Sequence, residues 1–267
     1  MTLPPTASEM AVARWRDGVG TSASRILPEE TPVALVHDGS TTAVMMATPS
    51  DLEDFAVGFS LTEGLIASPA EITALEVASS SDGVEVRIWL ATARSELLAA
   101  RRRHMAGPVG CGLCGIESLQ EATRLPHRVL TGQTVTAEQI HAAMDALDGS
   151  QRLGPMTRAV HAAAWWTAAD GIRALREDVG RHNALDKLAG ALAREESRGE
   201  GGILVLTSRV SVEMVQKAAM MGAQVLAAVS APTLLAVRMA EACGMTLAAV
   251  VRDDGFEVFA APERILG

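Results

Sequence analysis

Ile203-Leu204-Val205-Leu206, followed at once by Thr207-Ser208-Arg209, is the stretch that decides the fold. Four apolar residues in a row, preceded by the charged and glycine-rich Glu195 to Gly202, predict a strand buried on both faces. Ser211 to Met221 then predicts a helix, Val225 to Val229 a second buried strand, Pro232 to Cys243 a second helix and Leu247 to Val251 a third strand. Pro232 suits a first helical turn and Gly244 a helix stop. Phe256-Glu257-Val258-Phe259 predicts a partner for the third strand across the Asp253-Asp254-Gly255 turn. Strand, helix, strand, helix, strand implies right-handed crossovers and a parallel sheet covered by helices on both faces. Such a sheet gathers the residues that follow its strands at one edge, where open α/β sheets bind ligands. Here those residues are Thr207, Ser208, Arg209, Ser230 and Arg252. Hydroxyls and guanidiniums suit phosphates, yet no Walker or G-x-G-x-x-G glycine pattern is present. Helix capping would explain the hydroxyls and leave Arg209 without a role.

Upstream, Val33 to His37 and Thr42 to Met46 flank Asp38-Gly39 and predict a hairpin. Ser50 with Glu53 reads as a capping box for a helix striped by Leu52, Phe55, Ala56 and Phe59. Val84 to Ile88 alternates like a half-buried strand, and Arg94 to His104 reads as a helix. Thr136 with Gln139 is another capping box, and Ile140, Ala143, Met144 and Leu147 form the buried face behind it. Ala159 to Trp165 and Ile172 to Glu177 predict strands around Asp170-Gly171, and a helix begins near Asn183. Between them, Asp178 to Asn183 presents polar side chains at a sheet end. A ligand-facing turn and a simple cap at Asn183 with an Asp178–Arg181 pair are equally compatible with it. Residues 1–30, rich in Pro, Ser, Ala and Glu, read as a mobile arm. The expected divisions are this arm, an α+β portion at 31–107, a flexible cysteine loop at 108–118 and an α/β core at 119–267.

Composition narrows the function. A net charge of −9 argues against a duplex nucleic-acid binder, which needs a basic face. No apolar stretch approaches the roughly 20 residues of a membrane span, and the N-terminus lacks the layout of a secretory signal. Three cysteines, one left unpaired by count, fit a reducing cytoplasm.

Two of those cysteines stand in Gly110-Cys111-Gly112-Leu113-Cys114-Gly115. The glycines bare both thiols in a tight loop, which points to sulfur chemistry or a metal. Arg101-Arg102-Arg103 lies close enough in sequence to lower the pKa of Cys111 and favour a nucleophilic thiolate. Zinc needs four ligands in a closed structural site, and the chain holds no second C-x-x-C. His161 and His182 are the remaining candidates, without finger spacing or the His-x-Glu of a deaminase. Cys243, Met45, Met46, Met220 and Met221 read as core, and His37, His127 and His141 as surface or capping residues.

Five blocks carry a resemblance: Cys111 to Gly115, Glu177 to Lys187, Arg209 to Lys217, Thr48 to Gly58 and Val229 to Thr233. From about Pro32 onward the chain resembles the FdhD family of formate dehydrogenase accessory sulfurtransferases. The resemblance implies a fold similar to cytidine deaminase, a layered mixed sheet between helices, without the catalytic zinc or any catalytic metal. It implies a homodimer that accepts sulfur from a cysteine desulfurase. The sulfur passes to the bis-molybdopterin guanine dinucleotide form of the molybdenum cofactor, destined for the formate dehydrogenase apo-enzyme. By the same resemblance Cys111 holds a persulfide with Cys114 assisting, and Val250, Val251, Arg252, Asp253, Asp254 and Gly255 contact the cofactor. Ser208, Arg209, Ser230 and His182 are expected to hold its guanine-nucleotide ends. Arg158-Ala159-Val160, Pro108-Val109-Gly110 and the two aspartates Asp253 and Asp254 depart from the family pattern. A non-catalytic chaperone of the cofactor and a zinc hydrolase are the competing readings.

Overall fold

Asp17 and Gly18, both in the left-handed region (φ 50° and 78°), make a two-residue turn between strands β1 (Ala7–Arg16) and β2 (Val19–Pro28). The computed structural model describes residues 2–96, 128–129, 132–195 and 201–266. Within it, the stretch expected as an arm is a hairpin of ten antiparallel residue pairs, from Ala7 opposite Pro28 to Arg16 opposite Val19. Its short side chains hid it, because alternation of Ala, Ser and Thr leaves little apolar period to read.

Strands β3 (Thr31–His37) and β4 (Ser40–Ala47) follow as the expected hairpin, with Asp38 and Gly39 at φ 49° and 74° in the turn. Twisted strands favour this mirror-image turn, and Asp-Gly adopts it with the least strain. Strands β5 (Ile72–Ser79) and β6 (Val84–Leu90) complete a four-stranded sheet in the order β4-β3-β6-β5. Helix α1 (Leu52–Thr62) covers one face, and Val33, Leu35, Phe55, Phe59, Val86 and Ile88 share a core beneath it. The expected Ser50 cap is absent: Asp51 is the N-cap residue and makes no side-chain capping bond. Tertiary bonds to Thr48, described below, set the entry into this helix instead.

A short strand β7 (Val135–Thr136) leads into α2 (Ala137–Ser150), where the Thr136/Gln139 capping box forms as expected. Helix α3 (Leu153–Thr157) is one turn long and precedes β8 (His161–Thr167) and β9 (Gly171–Asp178). Then come α4 (Arg181–Arg194), β10 (Ile203–Leu206), α5 (Val212–Met220), β11 (Val225–Ala228), α6 (Leu234–Cys243), β12 (Thr246–Arg252), β13 (Gly255–Ala260) and β14 (Ile265–Leu266). Six of these strands form a mixed sheet in the order β13-β12-β11-β10-β8-β9. The central β10, β11 and β12 run parallel, while β8, β9 and β13 join antiparallel. Helices α4, α5 and α6 share a core with one face, and α2 packs on the other.

Two glycines weld the halves together. A Cβ on Gly58 in α1 would lie 1.7 Å from the Asp186 carbonyl oxygen, and one on Gly190 in α4 would lie 1.9 Å from that of Asp54. The helices therefore touch backbone to backbone, which only glycine allows. Three assignments change. Met46 (47 % exposed) lies on the open face of edge strand β4, and Met220 (37 %) on the solvent side of α5, so neither is core. His37 is fully buried, within hydrogen-bond distance of Thr42 Oγ1 (2.9 Å) and Ser60 Oγ (2.8 Å). Cys243 is buried as expected.

Candidate functional site

Strand direction places the candidate residues together. The C-terminal ends of β10, β11 and β12, the N-terminal ends of β8 and β13 and the C-terminal end of β9 all meet at one sheet edge. Thr207, Ser208 and Arg209, Ser230, Arg252 to Gly255, His161, Asp178 and the start of α4 with His182 therefore line a single edge. Cys111 and Cys114 lie outside the described residues, as does Arg101-Arg102-Arg103.

From β10 outward, the edge is built as follows. Thr207 Oγ1 accepts from the Ala162 amide at 2.8 Å, tying the turn to β8. Ser208 is 3 % exposed and its hydroxyl donates to the Arg209 carbonyl at 3.1 Å, so it shapes the turn while Arg209 stands in solvent. Toward β12, the Arg252 guanidinium donates through Nη1 to the carbonyls of Val229 (2.5 Å) and Val251 (2.7 Å). Val250 sits at φ 56° beside a register shift in the β12–β13 ladder. A β-branched residue there is strained, and the kink it makes turns the strand end. Val251 is buried in the core, so only its backbone faces the edge, while Asp253 and Asp254 form an exposed turn.

On the other side of the edge the polar residues divide into structural and free groups. Asp178 is buried and engaged: it accepts from Lys187 Nζ (2.6 Å), Thr48 N (3.0 Å), Gly180 N (2.8 Å) and Asn183 Nδ2 (3.0 Å). Lys187, also fully buried, donates to the Thr48 carbonyl at 2.8 Å. Burial pushes the Lys187 ammonium below its ordinary pKa, and Asp178 opposes the shift. The Asp178–Arg181 pair, one of the two readings of this turn, does not form. Asn183 reaches the Met46 carbonyl (2.8 Å) rather than capping a helix, and α4 starts two residues earlier than expected.

A second cluster lies deeper. Lys217 of α5 donates to Asp186 (2.9 Å) of α4 and to Glu63 (2.7 Å) just after α1, and Thr62 donates to Asp186 at 2.6 Å. Burial works against the Lys217 charge, but Asp186 and Glu63 outweigh it and raise the pKa. Burial raises the Asp186 carboxyl despite Lys217 and Thr62. Glu177 accepts the amides of Arg152, Leu153 and Gly154 and so caps α3. Asp178, Asp186, Lys187 and Lys217, half of the charged positions of the Glu177–Lys187 and Arg209–Lys217 blocks, are thus spent on fastening α4 to α5 and to the segment that leads into and out of α1.

Among the described residues, Arg181 has no ion-pair partner at this end, His161 is half-buried, and His182 Nε2 stands 3.6 Å from Glu213 Oε2. The sequence left Arg181 undecided, because Asp178 three residues away was an equally good partner for it. Lys187 takes that carboxylate from nine residues on, a spacing with no helical signature. Among the described residues no group of three or more His, Cys, Asp or Glu could hold a metal ion.

A mixed-sheet α/β protein with polar groups gathered at the strand ends is the class that fold and edge define. The chain belongs to the FdhD/NarQ family, whose model matches residues 28–266. It is 52 % identical over 263 residues to the sulfur carrier protein FdhD of Agrobacterium fabrum, covering 97 % of each chain. It is 48 % identical over 262 residues to that of Cupriavidus necator, covering 98 % of this chain and 91 % of the relative. A crystal structure from Desulfotalea psychrophila, of a protein proposed to be a formate dehydrogenase accessory protein, matches with a TM-score of 0.75. That match has 25 % identity and covers 98 % of this chain and all of the other.

Proposed function

We propose that this chain is a sulfur carrier serving formate dehydrogenase, a sulfurtransferase that holds sulfane sulfur on Cys111 with Cys114 assisting. The observation that carries the reading is the 52 % identity to a protein named sulfur carrier protein FdhD along 97 % of both chains. A thiol near pKa 8.5 is mostly protonated at neutral pH, whereas a persulfide is more acidic and reacts as its anion through the outer sulfur. The sulfur donor in this reading is a cysteine desulfurase. The client is the bis-molybdopterin guanine dinucleotide cofactor, and the carrier works as a cytoplasmic homodimer.

The strand-end edge has a donor set that fits such a client. Arg209 and Arg252 offer guanidiniums to phosphate oxygens, and Ser230 a hydroxyl. The exposed carboxylates Asp253 and Asp254 oppose phosphate but suit the N–H and amino donors of a guanine base. Incubation with a desulfurase and cysteine, followed by mass spectrometry, should add sulfur mass to the Cys111 peptide and not to a Cys111→Ser protein. Unmodified thiols beside retained guanine-nucleotide binding would replace this reading with that of a cofactor chaperone. In the same assay series, Arg209→Ala should weaken guanine-nucleotide binding about tenfold, the worth of one charge-assisted contact.

A further inference from the structure

We infer that Arg181, flanked by His161 and His182, forms an anion-binding subsite at the β8–β9 end of the sheet edge, separate from the Arg252–Gly255 end. The inference rests on the sulfur-carrier reading for its biological ligand, but not for its chemistry. Arg181 is half-buried, and its Nε is sealed from solvent without a hydrogen-bond partner. Asp178, the carboxylate three residues before it, is held by Lys187 and three other donors. Among the described residues the guanidinium therefore has no ion pair. A buried donor left unpaired carries a desolvation cost, greater when the group is charged, so it points to a place for an acceptor.

The two imidazoles converge on it from different elements. Alternation along β8 puts Ala163 and Trp165 in the core beneath α4, so His161 faces the start of that helix, across from Asp178 in the ladder. His182 follows Arg181 in α4, and its Nε2 is likewise sealed without a hydrogen bond, 3.6 Å from Glu213 Oε2 of α5. Ser211 Oγ donates to that same Glu213 oxygen at 2.7 Å, so Glu213 is shared between the hydroxyl and the imidazole.

Charge around the cluster agrees with an anion. Burial pushes His161 below its ordinary pKa, Arg181 adds to the shift and Asp178 opposes it. For His182, burial again leads, Arg181 and Lys217 reinforce it and Glu213 opposes. Both imidazoles are thus kept neutral by burial and by cations. An anion on Arg181 would reverse that balance and draw a proton onto them, so binding should strengthen as pH falls.

Position sets the subsite toward the opposite side of the sheet edge from Arg252. Strands β12 and β9 are four places apart in the sheet, about 19 Å at about 4.8 Å per strand. A small anion bearing sulfane sulfur, such as a persulfide, and a free or esterified phosphate share the chemistry that a guanidinium beside two imidazoles accepts.

The test uses the full-length protein, the imidazole NMR signals of its six histidines, and thiosulfate and inorganic phosphate as probes. With either probe, the His161 and His182 titrations should move to higher pH, and affinity should rise between pH 7.5 and 6. Arg181→Gln should weaken binding about tenfold or more, as expected for losing a charge-assisted pair, with the melting temperature unchanged. Thiosulfate binding better than phosphate identifies the sulfane-sulfur source; the reverse identifies phosphate. Unmoved histidines in the wild type with both probes, or wild-type affinity in Arg181→Gln, overturns the subsite. Sulfur loading of Cys111 is read separately. Loading without Arg181-dependent binding sinks only the subsite, and binding without loading sinks only the carrier reading.

Discussion

Lys187 shows what a single residue in this fold has to do. It is fully buried, its ammonium pinned between Asp178 and the Thr48 carbonyl. Removing one member of a buried pair leaves an uncompensated charge, at about 3–5 kcal/mol. Lys187→Met should therefore cost about that much in urea unfolding. Asp178→Ala should cost more, because it orphans the Thr48 and Gly180 amides and the Asn183 amide group as well. A loss under about 1 kcal/mol for either variant would mean that the pair is not holding charge in the folded state. None of this was legible in the sequence. The Glu177–Lys187 block announced polar residues at a sheet end, but which carboxylate meets which cation is decided by helix packing between distant segments. Arg252, Ser208 and Arg209 were legible because strand direction alone assigns them to the edge.

At the scale of elements, the crossing of α1 and α4 governs how the smaller sheet sits on the larger. Backbone contact at Gly58 and Gly190 brings Asp54 within 2.6 Å of both Arg176 and Arg194. Gly190→Ala would force the helices apart, because its Cβ would fall 1.9 Å from a carbonyl oxygen that cannot swing away. A loss of about 3 kcal/mol is expected, the upper part of the overpacking range. Gly149→Ala in α2 is the matched control, since a Cβ there meets nothing within 4 Å. It should gain about 0.5–1 kcal/mol from helix propensity alone. Thermal unfolding of the two variants decides the matter; equal effects would show that the crossing tolerates a side chain. Periodicity revealed both helices, and the α2 capping box formed as read. It could not reveal the crossing, since a helical glycine looks the same whether it faces a carbonyl or water.

For the molecule as a whole, the half-buried histidines tie stability to pH. His161 and His182 are held below their ordinary pKa, mainly by burial and then by Arg181. The unfolded chain, with histidines near 6.5, therefore binds more protons than the folded one just below that pH. Stability from these groups is fully present above about pH 6.5 and is lost as pH falls toward their depressed folded values. Asp186 acts in the opposite sense, because burial raises its carboxyl and the folded state takes up a proton sooner on acidification. The histidine contribution is isolated by difference: His161→Asn with His182→Asn should lose less stability than the wild type between pH 7.5 and 5.5, while Asp186 contributes equally to both. Chemical unfolding at the two pH values gives the comparison, and parallel losses in the two proteins would refute it. Phosphate at the Arg181 subsite should shrink the wild-type loss, because an anion there raises both histidines toward their unfolded pKa. The double variant should show no such rescue, since it has no imidazole left to protonate. An effect of phosphate on stability that depends on both pH and these two side chains therefore connects the sheet edge to the stability of the whole fold.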